Sequence, residues 1–279
     1  MSKVVVYHAK CIDGCGGAAA SYLALGDTAT YIPVLHHYDL PDVCYGAICY
    51  FIDIILSKEQ MRRAEQVCEE VIVLDHHETA FRRLDGVKVS DKSVLNMEKS
   101  GCMLAWEFFH PYKKVPLILW HLQDYDLWKF DMTDSESIAA YMMGCVPFTH
   151  TAYAEYLLKD DLQTEIMIGK ILHIKTEAEI ESICSHAGHF TFEGHHIMAV
   201  NSPIHQSQVG NYLVENNDID FAVVWYHDAN SWEYRYSMRG KGKVNLAELA
   251  ESYEGGGHPN SSGFRGEYGP LEIFCKRNI

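Results

Sequence analysis

Short apolar segments that alternate with amphipathic ones constrain the fold of this chain most strongly. Residues 4–7, 30–34, 47–52 and 71–74 are typical of buried strands, and residues 58–69 have the pattern of an amphipathic helix. Strands that alternate with helices in this way form a parallel sheet flanked by helices. We therefore expect an α/β domain in the amino-terminal part of the chain.

The pattern changes further along the chain. Residues 101–143 have a mainly helical pattern, and residues 150–185 form a long, charged stretch whose apolar positions recur near the helical period. After that stretch the sequence pattern is typical of strands, and a glycine-rich turn lies near the end of the chain. We place a domain boundary at residue 185, which gives one domain at 1–185 and a smaller one at 186–279.

Charge and composition narrow the classes of partner. The formal net charge is −15, and the sequence contains no run of Lys or Arg. Proteins that follow long duplex DNA usually present a basic face, so we expect no such partner. Small phosphorylated ligands remain compatible, because bound divalent cations are often the largest local charges in a site.

Cysteine usage and hydropathy bear on the compartment. Nine cysteines, an odd number without a regular pattern, are typical of a reducing environment. The first residues do not have the pattern of a signal peptide, and no stretch approaches the roughly 20 apolar residues of a membrane span. We expect a cytoplasmic protein that has no membrane partner.

Acidic and imidazole side chains follow several of the predicted strands and end one apolar helical segment. They are His8, Asp13, Asp53, Asp75, His76, His77, Asp124 and Asp126. Each is by itself compatible with a solvated strand end or helix end. Because the carboxyl ends of parallel strands meet at one edge of a sheet, we instead expect a shared site there. Such a set of ligands suits Mn²⁺ or Mg²⁺, with Zn²⁺ or Co²⁺ as alternatives, and two ions together suit hydrolysis at phosphorus.

Apart from Asp126, these residues resemble the four amino-terminal motifs of the DHH phosphoesterase superfamily. The glycine-rich segment 255–263, GGGHPNSSG, resembles the motif of the DHH-associated carboxy-terminal domain. The resemblance runs in the family's order from residue 8 to residue 263 and points to the oligoribonuclease and RecJ-like branch. It implies a DHH domain with a helical connector at 1–185, a substrate-binding α/β domain at 186–279, and an active-site cleft between them.

The resemblance also implies the role of each residue. His8 and Asp53 would hold one divalent ion, most simply Mn²⁺, and Asp53 would also bridge to a second ion. The second ion would be held by Asp13, Asp53, His76 and Asp124. Asp75 would orient a neighbouring histidine, and His77 would face the substrate phosphate.

The implied substrate-binding residues lie in the carboxy-terminal domain. Arg239 resembles the arginine that precedes the glycine motif in relatives, and it would bind the distal part of the ligand with His258 and the amides of Gly256 and Gly257. A solvated arginine at a strand end is the alternative for Arg239.

The sequence differs from the family pattern in three respects. Cys11 lies near a position where relatives often carry a further Asp, and it is either a ligand that favours Zn²⁺ or Co²⁺ or a small buried side chain. Asp124 and Asp126 compete for the fourth motif, and we favour Asp124 as the ligand. Ser261 and Ser262 replace the usual alanines.

The expected activity is metal-dependent hydrolysis of short oligonucleotides or small signalling nucleotides by water that two divalent ions activate. One alternative is a hydrolase of pyrophosphate or polyphosphate. Another is a nucleotide-binding sensor whose catalysis is impaired by Cys11. A homodimer is compatible with the sequence. Two histidine pairs, at 36–37 and 195–196, lack an adjacent acid, and we expect them to be surface or packing residues.

Overall fold

The structure of the protein is a computed structural model that describes residues 1–35 and 38–276. Two units divide the chain, one from Met1 to His173 and the other from Ile174 onwards. The elements of the first unit are β1 (Lys3–His8), α1 (Ile12–Leu25), β2 (Ala29–Val34), β3 (Ile48–Ile52), α2 (Lys58–Val67), β4 (Glu70–Asp75), α3 (Glu78–Arg83), β5 (Val94–Leu95), α4 (Gly101–Phe109), α5 (Leu117–Asp126), α6 (Ser135–Cys145) and α7 (His150–Leu157).

A parallel sheet with the strand order β2-β1-β3-β4-β5 forms the centre of the first unit. Its strands β1, β3 and β4 are buried on both faces, because successive side chains point to opposite sides and helices cover each side. Val5, Ile52 and Leu74 join the core with α1 and α4–α7, whereas Val6 and Phe51 join the core with α2 and α3. The parallel α/β architecture predicted for this part of the chain is confirmed.

Helix α8 (Gln163–Cys184) contains the point where the two units divide, between His173 and Ile174. The boundary that we predicted at residue 185 is the end of this helix. The predicted helical connector consists of two helices, α7 and α8, because the chain leaves the helical conformation between Leu157 and Gln163.

The second unit contains a mixed seven-stranded sheet with the order β10-β11-β9-β8-β7-β6-β12. The elements are β6 (Gly188–Phe192), β7 (His195–Asn201), α9 (Gln206–Asn216), β8 (Phe221–Asp228), β9 (Glu233–Gly240), α10 (Leu246–Glu251), β10 (Gly256–His258), β11 (Ser261–Gly266), α11 (Pro270–Ile273) and β12 (Cys275–Lys276). Only β7 and β8 pair in parallel among the described strands of this sheet, and α9 is the crossover between them. The sheet is buried against α9 on one face and α10 on the other. This second α/β unit is as predicted.

Candidate metal centre

Three neighbouring strands of the parallel sheet deliver the predicted site residues to one edge. His8 is the last residue of β1, Asp53 directly follows β3, and Asp75 is the last residue of β4. Because β1, β3 and β4 are adjacent and parallel, their carboxyl ends lie side by side. The motifs, which are far apart in the sequence, thus lie together at one edge of the sheet.

Asp53 lies at the centre of this cluster. Its carboxylate Oδ2 is 3.3 Å from His8 Nδ1, and its Oδ1 is 3.3 Å from His76 Nε2. Its φ of 55° is in the left-handed region, which Asp adopts more readily than most residues and which turns the chain at the end of β3. Burial would raise the pKa of Asp53, but the rings of His76 and His8 hold it well below its usual range. The carboxylate is therefore ionised and shared between two imidazoles.

Asp13 connects the cluster to helix α4. The N–H of Gly101 donates to its Oδ2 at 2.6 Å, and the N–H of Cys102 donates to its Oδ1 at 2.9 Å. The carboxylate therefore caps a helix 88 residues away, and Ser100, at the N-cap position, makes no side-chain capping bond. Oδ2 also lies 3.7 Å from His76 Nε2. Burial and the nearby Asp53 raise the pKa of Asp13.

Asp75 holds the turn that carries the two histidines. Its Oδ1 accepts the backbone N–H of His76 at 2.6 Å and of His77 at 2.8 Å, and it lies 2.8 Å from His77 Nδ1. Burial alone would raise the pKa of Asp75, but the adjacent His77 keeps it below the usual value. The contact between Asp75 and Nδ1 therefore fixes the orientation of the His77 ring.

The structure brings Asp126, and not Asp124, to the cluster. Asp126 Oδ2 is 3.5 Å from His76 Nε2, and among the described residues this buried oxygen has no hydrogen-bond partner. The Asp124 carboxylate instead accepts the backbone N–H groups of Asp131 at 2.8 Å and Met132 at 3.1 Å. We predicted Asp124 as the ligand, but the structure places Asp126 beside His76 and Asp124 in the loop after the helix. Residues two apart on a helix lie on nearly opposite faces, so only one of the pair can reach the site.

Within the first unit, this arrangement forms two groups of ligand atoms. One consists of His8, Cys11 and Asp53, and the other of Asp13, His76 and Asp126. In each group the ligand atoms lie within 4.8 Å of one another. Asp53 connects the two groups through its contact with His76.

The charges of the cluster favour a bound cation. Asp13, Asp53 and Asp126 are three acids within one largely buried cluster, and burial together with Asp13 raises the pKa of Asp126 well above its usual range. Like charges that share a buried site are costly unless a cation neutralises them. The oxygen of Asp126 that lacks a hydrogen-bond partner among the described residues and the mixed oxygen and nitrogen donors fit divalent metal ions.

The predicted substrate-binding residues of the second unit also come together. Arg239, near the end of β9, pairs with Ser261 of β11, and Ser261 pairs with His258 of β10. The Arg239 guanidinium donates to Ser207 Oγ and, at 3.1 Å, to Ser237 Oγ. Helix α9 packs closely on the stem of this arginine, because a Cβ on Gly210 would lie 2.7 Å from Arg239 Cγ.

The glycine motif forms a hairpin, which the sequence pattern indicated only as a turn. Gly257 has a φ of 142°, and a Cβ there would lie 2.7 Å from the Cα of Ser262, so a glycine is required. The Ser262 hydroxyl donates to the carbonyl of His258 at 2.6 Å. The Ser262 side chain, at a position where the motif usually has alanine, therefore links the two strands of the hairpin. Gly256 is the first residue of β10.

The remaining histidine pairs have different outcomes. His196 Nε2 lies 3.0 Å from His189 Nδ1 on the neighbouring strand, and His195 Nδ1 lies 3.7 Å from Asp220. These contacts lie outside the two groups of ligand atoms. His36 and His37 are outside the described residues.

Within residues 1–35 and 38–276, no helix combines the length and apolar character that a membrane crossing requires.

Comparisons with known proteins give a relative in sequence and similar solved structures. No protein-family model matches the chain. An uncharacterized protein of Acanthamoeba polyphaga mimivirus is 27% identical over 285 residues, and the match covers 93% of this chain and 66% of that protein. The chain thus spans about two thirds of the length of this relative.

Two solved structures have a similar fold. The DHH domain of a member of a family of ribosomal proteins matches with a TM-score of 0.64 at 14% identity, over 94% of this chain and 82% of that one. RecJ from Thermus thermophilus, in complex with Mn²⁺, matches with a TM-score of 0.50 at 14% identity, over 94% of this chain and 49% of that one. The resemblance to the DHH phosphoesterase superfamily is therefore confirmed at the level of the fold.

Proposed function

We propose that the protein is a divalent-metal-dependent phosphoesterase that hydrolyses short oligonucleotides or small signalling nucleotides. The observation that carries this proposal is the convergence of two groups of metal-ligating atoms, with Asp53 between them, at the carboxyl ends of three parallel strands. Such a pair of sites is suited to in-line displacement at phosphorus.

The roles proposed for the residues follow from their contacts. His8 and Asp53 would hold one cation, and Asp13, His76 and Asp126, together with Asp53, would hold the other. When bound, two divalent ions lower the pKa of water and neutralise charge on a phosphate. His77 lies beside the cluster with Nδ1 fixed by Asp75, so its Nε2 is suited to contact a phosphate oxygen.

Relatives and charge support the class of substrate and cofactor. RecJ, whose fold this chain shares, is in complex with Mn²⁺, and we propose Mn²⁺ as the first ion to test. The net charge of −15 disfavours long polyanions, because each phosphate in contact with the protein requires a neutralising cation. A substrate with few phosphates, bound through the metal ions, is the better match. We propose that the protein acts in the cytoplasm.

The first test is hydrolysis in the presence of Mn²⁺. Purified protein would be incubated with a labelled dinucleotide, a cyclic dinucleotide, phosphoadenosine phosphate and pyrophosphate. We expect turnover of at least one nucleotide and its loss with a chelator. Asp53→Asn keeps the size of the side chain and tolerates the positive φ, so we expect it to fold and to lose activity by at least about 100-fold. Asp91→Asn, at an exposed position, is the matched control.

Each result of this assay has a clear meaning. Turnover of pyrophosphate alone would support a pyrophosphate hydrolase instead. Tight binding of a nucleotide without turnover would support a sensor. Full activity in Asp53→Asn would contradict the proposed metal centre.

A further inference from the structure

Cys11 lies within the metal centre and not in the apolar core. Its Sγ, an imidazole nitrogen of His8 and a carboxylate oxygen of Asp53 are within 4.8 Å of one another. Cys11 occupies the N-cap position of α1, yet its side chain makes no capping hydrogen bond. Lys10, with a φ of 57°, turns the backbone between His8 and Cys11. This turn brings two donors that are three residues apart to one point.

The two groups of ligand atoms differ in chemistry. Asp13, His76 and Asp126 provide two carboxylates and one imidazole, a set that suits Mn²⁺ or Mg²⁺. His8, Cys11 and Asp53 provide one imidazole, one thiol and one carboxylate. Thiolate ligands favour Zn²⁺ or Co²⁺ over harder cations. The two sites are therefore unequal in their preference for metals.

We propose that Cys11 is a thiolate ligand of the cation held by His8 and Asp53, and that it makes this site selective for Zn²⁺ or Co²⁺ over Mn²⁺. The inference rests on the proposed function only in requiring that a cation binds at the cluster. On binding, a bond between sulfur and the metal forms, the S–H bond breaks, and the proton leaves to solvent. No oxidant or reductant takes part.

The test uses Co²⁺ as a spectroscopic probe of the full-length, chelator-stripped protein. We expect a thiolate-to-cobalt charge-transfer band in the near ultraviolet as Co²⁺ is added. Cys11→Ser should abolish the band, whereas Cys145→Ser, which changes an exposed cysteine, should keep it. Cys11→Asp should bind metal without the band and shift the ratio of Zn²⁺ to Mn²⁺ affinity toward Mn²⁺ by at least about tenfold.

X-ray absorption at the cobalt edge of the unmodified protein provides a measurement that does not depend on any variant. A sulfur neighbour in the first coordination shell supports the inference. Bound Co²⁺ without a sulfur neighbour, or a charge-transfer band that persists in Cys11→Ser, overturns the inference but leaves the proposed phosphoesterase function standing. Failure of the protein to bind Co²⁺, Zn²⁺ or Mn²⁺ overturns both.

Discussion

Asp124 and Asp126 make different contacts although they are only two residues apart on α5. The Asp124 carboxylate accepts two backbone N–H groups of the loop after the helix, and Asp126 lies against His76. The sequence shows two acids in an apolar context and gives no sign of which one faces the sheet edge. Helix phase decides this, because a rotation of about 200° separates the two side chains.

We expect the same substitution to affect a different property at each of the two acids. Asp124→Asn places an amide group where two N–H donors converge, so we expect the free energy of unfolding to fall by about 1–3 kcal/mol, with metal affinity nearly unchanged. Asp126→Asn should weaken metal binding by about tenfold or more, with little loss of stability in the metal-free protein. Urea unfolding in chelator and calorimetric metal titration measure the two effects. Equal effects of both variants on metal affinity would contradict the assignment.

The metal-free protein should lose stability as the pH rises above about 6.5. Burial lowers the pKa of His76, but Asp126 and Asp53 outweigh this effect and raise it well above its usual range. A group whose pKa is raised on folding stabilises the folded state fully below its unfolded-state pKa, and this stabilisation is lost as the pH rises through the folded-state pKa. The raised pKa of Asp126 also makes the folded state less stable as the pH rises, and this loss begins at a lower pH than for His76.

Thermal unfolding in chelator at about pH 6 and about pH 8 measures this dependence. We expect a lower Tm at the higher pH. Excess Mn²⁺ should reverse the trend, because metal ions bind the deprotonated ligands. A Tm in chelator that stays level or rises with pH would contradict the assignment of raised pKa values.

The start of α4 shows how one element shapes the site. Its first two amides bind Asp13, and a Cβ at Gly101 would lie 2.6 Å from Asp53 Cβ and 2.8 Å from Asp13 Oδ2. The helix can approach the two acids only because residue 101 is a glycine. The helical pattern that begins at residue 101 does not reveal the carboxylate that caps this helix.

Gly101→Ala should displace the start of α4 from the acids. We expect a fall of about 1–3 kcal/mol in the free energy of unfolding and weaker metal binding. Gly266→Ala is the control, because a Cβ there meets no described atom within 4 Å. Denaturant unfolding and metal titration of both variants test the effect, and equal behaviour of the two would show that close packing at Gly101 is unimportant.

At the scale of the whole molecule, we propose that the second unit selects the substrate and that the first unit performs the chemistry. The Arg239 guanidinium donates to Ser207 Oγ, Ser237 Oγ and the carbonyl of Met238, and these bonds fix the orientation of the planar group. Arg239→Lys should therefore raise KM by about tenfold and change kcat little. Arg265→Lys, on neighbouring β11, is the matched control. A fall in kcat without a change in KM would contradict a role in binding.

Net charge makes a separate prediction about substrate length. With a formal charge of −15, the protein should bind long duplex DNA weakly at moderate salt, while short oligonucleotides are hydrolysed. Competition of a long duplex with a labelled dinucleotide, at two salt concentrations, measures this preference. Strong inhibition by the duplex would contradict it.

Much of the fold follows from local pattern. The buried strands and the amphipathic helix predicted the parallel sheet of the first unit, and the positions predicted for β1 to β4 and α2 agree with the structure within a few residues. Short elements such as β5 and β10 were not predicted, because two or three residues carry too little periodicity to indicate a strand. Their pairing with longer strands stabilises them.

Most of the chemical groups of the site can be read from local sequence, since His8, Asp13, Asp53, Asp75, His76 and His77 stand at the ends of recognisable strands or shortly after them. Tertiary structure alone decided how those groups are divided. It paired Asp126 with His76, assigned Asp124 to a loop, placed the Cys11 thiol beside His8 and Asp53, and used Asp13 to cap α4. The physical reason is that these contacts depend on helix phase and on packing between residues far apart in the chain, and neither is encoded in local periodicity.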